Sequence, residues 1–123
     1  MKKVLLLLAV TPPLAAFAES RDAAPDPVRG QKVYAACAAC HGPGPMVKTG
    51  PALEGVAGRR AGTVPGFRYS RALKNSRLTW DDATLDAFLA DPQARVPGNA
   101  MPYPGLPDPA QRADLIAYLK NLQ

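Results

Sequence analysis

Hydrophobic residues recur at helical spacing in three stretches of the chain, and each stretch has its own start signal. Asp26 and Pro27 are typical of a helix N-cap and first helical position, so a helix is predicted from there towards Cys40. A second helix is predicted to begin with Thr79 as its N-cap and to end at the Asp-Pro pair of residues 91–92. Its apolar positions are Leu85, Phe88 and Leu89.

The third stretch lies at the end of the chain, where Asp108 and Pro109 signal another helix start. Its apolar face consists of Leu115, Leu119 and Leu122, flanked by Ile116 and Tyr118. A short helical turn is predicted from a Ser70 cap to Asn75. The chain is therefore expected to contain three main helices with short helical turns between them.

The segments between these helices, 42–69 and 92–107, are predicted to be long loops rich in glycine and proline. The full chain contains 14 prolines and 10 glycines, which are too many for a uniform helical bundle. Loops of this length are unusual in a compact domain unless they enclose or bind something. We therefore predict an all-α domain whose loops wrap around a central group.

The chain begins with the pattern of a secretory signal peptide. A basic segment at residues 1–3 is followed by an apolar run over 4–10 and by small residues at 16–18. The apolar run is much shorter than the ~20 residues that a membrane-spanning helix needs, and no second run follows. We therefore predict cleavage after Ala18 and a mature, soluble protein that is exported to the periplasm without an integral membrane segment.

This cleavage divides the chain into three parts. Residues 1–18 are predicted to be the signal peptide, residues 19–26 a flexible N-terminal tail, and residues 27–123 a single domain. The formal charge of +5 falls to +3 when Lys2 and Lys3 leave with the signal peptide. A nucleic-acid-binding protein usually carries a denser basic stripe, and export also argues against that partner.

Cys37, Cys40 and His41 form the sequence C-x-x-C-H, which is the covalent attachment signature of a c-type haem. Two thiols three positions apart can form thioether bonds with the two vinyl groups on one side of a porphyrin. The histidine that follows the second thiol then lies under the ring, where its imidazole can bind iron. The motif predicts one covalent haem c in each subunit, with His41 as an axial ligand.

Two other uses of the cysteines fit the sequence less well. A structural disulfide between Cys37 and Cys40 would close a very small loop and stabilise the fold little. A thioredoxin-like dithiol requires a strand–helix–strand pattern around C-x-x-C, whereas residues 28–36 have the pattern of a helix. Haem attachment is the favoured interpretation.

The second axial ligand decides whether such a protein carries electrons or binds a substrate. His41 is the only histidine, so the candidates are Met46, Met101 and, less plausibly, a lysine or tyrosine. Met46 is five residues from His41 and would barely reach around the ring, whereas prolines on both sides of Met101 stiffen its loop. A His41/Met101 pair leaves no open position and predicts a one-electron carrier that is not an enzyme. The alternative is a haem-based ligand-binding enzyme or sensor in which Met101 is labile.

From Gly30 to Leu122 the chain resembles the class I cytochromes c, the soluble mitochondrial and bacterial type. Residues 30–34 resemble the first helix of the family and residues 115–120 its last. In the family these helices cross at a glycine and aromatic residues, which Gly30, Tyr34 and Tyr118 match. The resemblance implies the cytochrome c fold around one covalent haem, a monomer, and redox proteins as electron donor and acceptor.

The resemblance also implies roles for residues outside the C-x-x-C-H motif. The carbonyl of Pro51 matches the group that accepts the imidazole proton of the iron-bound histidine. Arg59 and Tyr69 match residues beside the haem propionates, and Trp80 matches a tryptophan whose indole N–H reaches a propionate.

The segment 97–101 matches the loop that carries the methionine ligand, which independently supports Met101 and also implies a role for Asn99 at the cofactor. The chain departs from the family pattern near this loop. Phe88 replaces a frequent tyrosine, Leu73 replaces a frequent asparagine, and Gln93 and Ala100 replace docking lysines of the mitochondrial members. The mitochondrial partners are therefore not expected to apply to this chain.

Overall fold

The computed structural model describes residues 23–42, 44 and 49–123. This part of the chain is mainly helical and contains no β-strand; one isolated antiparallel bridge joins Arg60 and Thr79. The helices are α1 (Pro27–His41), α2 (Arg71–Asn75), α3 (Asp82–Ala90), α4 (Pro92–Arg95) and α5 (Pro109–Asn121). The predicted all-α fold class is confirmed.

Aspartate or serine side chains cap the N-termini of the helices, because a free carboxylate or hydroxyl oxygen satisfies an otherwise unpaired N–H of the first turn. The Asp26 carboxylate accepts from the N–H of Val28 at 2.7 Å, and the Ser70 hydroxyl accepts from the N–H of Leu73 at 3.1 Å. Asp108 caps α5 in the same way. The predicted starts of α1, α2 and α5 are confirmed.

The predicted cap of α3 was wrong by two residues. Asp81, not Thr79, is the N-cap, and its carboxylate accepts from the N–H of Thr84 at 2.8 Å. This hydrogen bond lowers the pKa of Asp81. Thr79 instead lies in the bridge to Arg60, where the N–H of Trp80 donates to the carbonyl of Arg59 at 2.9 Å. A contact distant in sequence therefore holds Thr79 in extended backbone, and the helix begins two residues later than predicted.

The segment 92–107, predicted as loop, begins with the one-turn helix α4. Asp91 ends α3 and also caps α4, since its carboxylate accepts from the N–H of Ala94 at 3.0 Å. Pro92 occupies the first helical position, where its missing N–H costs nothing. The Asp-Pro pair therefore separates two helices rather than ending the helical region.

Helices α1 and α5 cross at Gly30, as the family resemblance implied. A Cβ atom at position 30 would overlap the backbone carbonyl of Asp114 and would come within 2.8 Å of the Tyr118 Cβ. Beside this contact the rings of Tyr34 and Tyr118 lie with centroids 5.0 Å apart. The close approach of the two backbones at Gly30 therefore sets the angle between the first and last helices.

The buried carboxylate of Asp114 in α5 forms hydrogen bonds to the start of α1 and so links the same two helices. Asp114 is only 6% exposed and accepts hydrogen bonds from the N–H of Asp26 at 2.7 Å and from Arg29 Nε at 2.8 Å. The hydrogen bond to Arg29 lowers the pKa of Asp114 and raises that of Arg29. Arg29 also donates to the carbonyl of Ala24 at 2.9 Å, so the end of the predicted tail contacts the domain.

Helix α5 also packs against α3, and α3 packs against α4. Leu115 and Leu119 of α5 are buried with Leu85 and Leu89 of α3. Among the described residues, none of the helices combines the length and apolar character required to cross a bilayer. The predicted signal peptide, residues 1–18, lies outside the described residues, as do residues 19–22 of the predicted tail.

We expect Gly30→Ala to lower the free energy of unfolding by about 3 kcal/mol, because the new methyl group meets backbone that cannot move aside. Gln31→Ala, at the exposed neighbouring position of α1, is the control and should change that free energy by less than about 0.5 kcal/mol. Urea unfolding followed by circular dichroism measures both. Equal stability of the two variants would contradict the close crossing at Gly30.

The contribution of Asp114 to stability should depend on pH. Because its pKa is below the ordinary 3.8, its ionic contacts stabilise the fold fully above that value and are lost as the pH falls through the lowered pKa. The stability difference between the unmutated protein and Asp114→Asn should therefore be constant above about pH 5 and shrink in more acidic solution.

Urea unfolding at a series of pH values measures this difference. Asp82→Asn, which breaks an exposed ion pair with Lys120, is the control and should change stability little. A difference between the unmutated protein and Asp114→Asn that grew on acidification would contradict the lowered pKa of Asp114.

Candidate haem site

The long loops and helices α1, α3 and α5 surround one cavity of about 280 Å³. Its walls are mainly apolar, because aliphatic and aromatic side chains of the three helices face it. These residues include Leu85, Phe88, Leu89, Leu115 and Leu119. The predicted site residues also line it: Cys37, Cys40, His41, Pro51, Arg59, Tyr69, Trp80, Asn99 and Met101. The fold therefore brings site residues as far apart in the sequence as Cys37 and Met101 to one place.

Cys37, Cys40 and His41 face the cavity together because they occupy positions i, i+3 and i+4 on the last turns of α1. Both cysteines are free thiols, so the predicted alternative of a Cys37–Cys40 disulfide is absent from this structure. Burial raises the pKa of the Cys37 thiol. Thiol–disulfide exchange needs a thiolate, so this environment disfavours Cys37 as the attacking thiol of an oxidoreductase.

The imidazole of His41 is fixed from the loop that follows α1. Its Nδ1 lies 2.8 Å from the carbonyl oxygen of Pro51, so Nδ1–H donates and Nε2 keeps a free lone pair. This is the hydrogen bond that the resemblance implied. A histidine held in this way presents a single defined nitrogen to a metal ion.

Gly50 makes this arrangement sterically feasible, a role that was not predicted from the sequence. A Cβ atom at Gly50 would come within 2.6 Å of His41 Cε1 and 2.7 Å of Nδ1. The N–H of Gly50 also donates to the carbonyl of Cys40 at 2.9 Å, which ties the loop to the end of α1. The available signal was a glycine directly before Pro51.

Arg59 and Tyr69 are polar groups in the cavity wall. Arg59 Nη1 donates to the carbonyl of Glu54 at 3.0 Å and Nη2 to the carbonyl of Ala52 at 2.9 Å. Burial lowers the pKa of Arg59, which nevertheless stays protonated, and its five N–H groups leave donors for an anionic ligand. The hydroxyl oxygen of Tyr69 accepts from the N–H of Val64 at 3.0 Å, so the hydroxyl proton remains available for donation.

Trp80 is buried and packs edge-on against Phe88, with ring centroids 4.9 Å apart. Within the part of the chain that the structure describes, no residue accepts a hydrogen bond from its indole N–H. Leu73 and Phe88, which replace polar residues frequent in the family resembled, also line the cavity. This part of the wall is therefore apolar apart from the indole N–H.

Met101 is presented by a tight turn formed by Val96 to Asn99. The N–H of Asn99 donates to the carbonyl of Val96 at 3.1 Å, with Pro97 second and Gly98 third at φ = 86°. A positive φ at the third position defines a type II turn and favours glycine there.

The side chain of Asn99 stabilises the same turn. Its Nδ2 donates to the carbonyls of Pro92 at 2.8 Å and Val96 at 2.9 Å, and its Oδ1 accepts from the N–H of Met101 at 3.0 Å. Asn99 was predicted to bind the cofactor. Although Asn99 lines the cavity, its amide bonds only to backbone and acts on the position of Met101.

The donor set of this cavity fits a covalent haem. It offers two thiols and an oriented imidazole from α1, a thioether sulfur from the segment after α4, a cationic guanidinium, and apolar walls. Met46, the other methionine considered as a ligand, lies outside the described residues.

Comparison with known proteins agrees with this assignment. The family model for cytochrome c matches residues 27–123. The chain is 50% identical over 105 residues to cytochrome c2 of Rhodomicrobium vannielii, covering 84% of both chains. It is 52% identical over 100 residues to cytochrome c2 of Rhodoblastus acidophilus, covering 80% of this chain and 94% of that protein. The chain belongs to the cytochrome c family.

A solved structure supports the fold of this cytochrome c. Cytochrome cH from Methylobacterium extorquens matches it with a TM-score of 0.75 and 47% identity, covering 78% of this chain and 98% of that one. The cytochrome c described here therefore contains one haem c, attached covalently through Cys37 and Cys40. Its function is electron transport.

We expect Gly50→Ala to displace the imidazole of His41 and weaken its hydrogen bond to Pro51. On an imidazole that binds the haem iron, such a bond increases basicity and favours Fe(III), so its loss should raise the reduction potential. The added methyl group should also lower the free energy of unfolding by about 1–3 kcal/mol. Redox titration and urea unfolding of the haem-loaded protein measure the two effects.

Gly55→Ala is the matched control. Gly55 has φ = 69° and open space at its Cβ position, so the substitution strains the backbone by about 1 kcal/mol without touching His41. It should lower stability and leave the potential unchanged. A Gly50→Ala potential equal to that of Gly55→Ala would contradict the role assigned to Gly50.

Proposed function

We propose that this chain is a periplasmic one-electron carrier whose haem iron is bound axially by His41 and Met101. Residues 1–18 are its signal peptide, cleaved after Ala18, and residues 27–123 form the cytochrome c domain. The protein works as a soluble monomer between protein donors and acceptors and does not transform a substrate. The observation that carries this proposal is that an oriented imidazole and a methionine from a stiffened loop line the same apolar cavity.

The haem, when bound, supplies an iron that alternates between Fe(III) and Fe(II). His41 and Met101 would hold this iron, and the neutral thioether of Met101 would favour Fe(II) and raise the reduction potential. Pro51 opposes this by making His41 more basic. The chain thus adjusts the reduction potential of the haem through two separate segments, the one that contains Pro51 and the one that contains Met101.

The polar groups of the cavity wall have a different role. Arg59, Tyr69 and Trp80 provide a charged and two neutral donors suited to carboxylates such as the haem propionates. The rest of the wall is apolar and excludes water, so little has to rearrange when one electron arrives or leaves. Electron exchange is proposed to occur at the partly exposed rim of the cavity beside Cys37 and Tyr103, which both line the cavity.

The alternative function, a haem enzyme or sensor, fits the restraint on Met101 less well. That function requires Met101 to leave the iron readily, whereas Asn99 and the 96–99 turn restrain it. His41 is the only histidine in the sequence, so no second histidine can lie beside the cavity. Restraint of Met101 therefore favours the carrier.

Absorption spectra of the protein matured in a periplasm test the ligand set. The unmutated ferric protein should show the weak red band of methionine sulfur on Fe(III). Met101→Ala should lose this band and gain binding of carbon monoxide in the ferrous state, because one axial position opens. Met46→Ala is the matched control and should keep the band, since Met46 is the other methionine of the mature chain.

Two results would contradict the proposal. Rapid carbon monoxide binding by the unmutated protein would favour the enzyme or sensor, and loss of the band in Met46→Ala alone would transfer the ligand role to Met46. The mass of the exported protein tests the leader separately, and should equal residues 19–123 plus one haem.

A further inference from the structure

The side-chain amide of Gln93 links helix α4 to the segment that carries Met101. Its Nε2 donates to the carbonyl of Asn99 at 2.9 Å, and its Oε1 accepts from the N–H of Gly98 at 3.2 Å. The neighbours determine the orientation of the amide, because a carbonyl requires a donor and an N–H requires an acceptor. Gln93 thus makes two hydrogen bonds to two consecutive residues.

These two backbone groups are not used by the turn itself. The hydrogen bond of the 96–99 turn joins the carbonyl of Val96 to the N–H of Asn99. The N–H of Gly98 and the carbonyl of Asn99 are therefore free for an external partner, and Gln93 provides it. Asn99 holds the turn through its buried amide, whereas Gln93 holds it through an exposed one.

Met101 follows this turn by two residues, so it cannot move far while both amides hold. We infer that Gln93 is a positioning residue for Met101 that limits how often the axial ligand leaves the iron. The inference rests on the proposed function, in which Met101 is that ligand. Gln93 acts through Gly98 and Asn99 and does not touch the cavity.

The chemistry of glutamine supports a specific role at this position. An amide has a donor and an acceptor on one carbon and can bond to an N–H and a carbonyl at once. Lysine, present at the matching position of the mitochondrial members, offers only donors, and glutamate offers only acceptors. Replacing Gln93 by either should therefore retain one of the two hydrogen bonds.

Imidazole binding to the haem-loaded ferric protein tests the inference. At saturating imidazole the rate of binding is limited by departure of Met101 from the iron, and loss of the red band reports it. Gln93→Met, of similar size, removes both hydrogen bonds and should raise this rate about fivefold, given the modest net strength of exposed hydrogen bonds. Gln93→Glu and Gln93→Lys should give smaller increases.

Gln31→Met on the exposed surface of α1 is the matched control and should bind imidazole at the unmutated rate. All variants should keep the red band and, because Gln93 is exposed, unfold in urea close to the unmutated protein. A Gln93→Met rate equal to that of Gln31→Met would overturn the inference while leaving the proposed function intact. An unmutated protein without the red band would overturn both.

Discussion

Side chains of α1, α3 and α5 line one shared cavity, and this constraint organises the whole chain. A domain of this size buries proportionately little surface, so a group that fills its centre contributes much of the core. The covalent haem c is that group. Helix α1 contributes the attachment residues, while α3 and α5 contribute apolar walls. The close crossing of α1 and α5 at Gly30 fixes the position of the α5 wall relative to the attachment residues of α1.

Two loop segments complete the cavity, and each is held by hydrogen bonds suited to its task. The segment after α1 positions His41 through the carbonyl of Pro51, and Gly50 provides the space for the ring. The segment after α4 carries Met101 on a turn whose backbone is bonded by amide side chains. In the first segment the close packing of Gly50 against His41 adds to the hydrogen bonds, whereas the turn before Met101 depends on the exposed amide of Gln93 as well as on the buried amide of Asn99. We therefore expect the methionine side to open more readily than the histidine side.

Much of the local structure could be predicted because it depends on short-range physics. The Asp26-Pro27 and Asp108-Pro109 pairs begin helices since a carboxylate satisfies free N–H groups and proline loses nothing at the first position. The C-x-x-C-H spacing predicted the haem because it places three side chains on one face of a helix. Where long-range contacts compete, prediction failed: Thr79 pairs with Arg60 and so does not cap α3.

The sequence by itself determined the fold class, the covalent cofactor and the starts of three helices, because these follow from neighbours within about four residues along the chain. Only the tertiary structure decided which residues distant in sequence are in contact. The fit of Gly50 against His41, the use of the Asn99 amide on backbone, and the bridge from Gln93 to the Met101 segment all depend on atoms brought together by folding. Their physical cause is steric contact and hydrogen-bond geometry over a few ångströms, which sequence spacing does not encode.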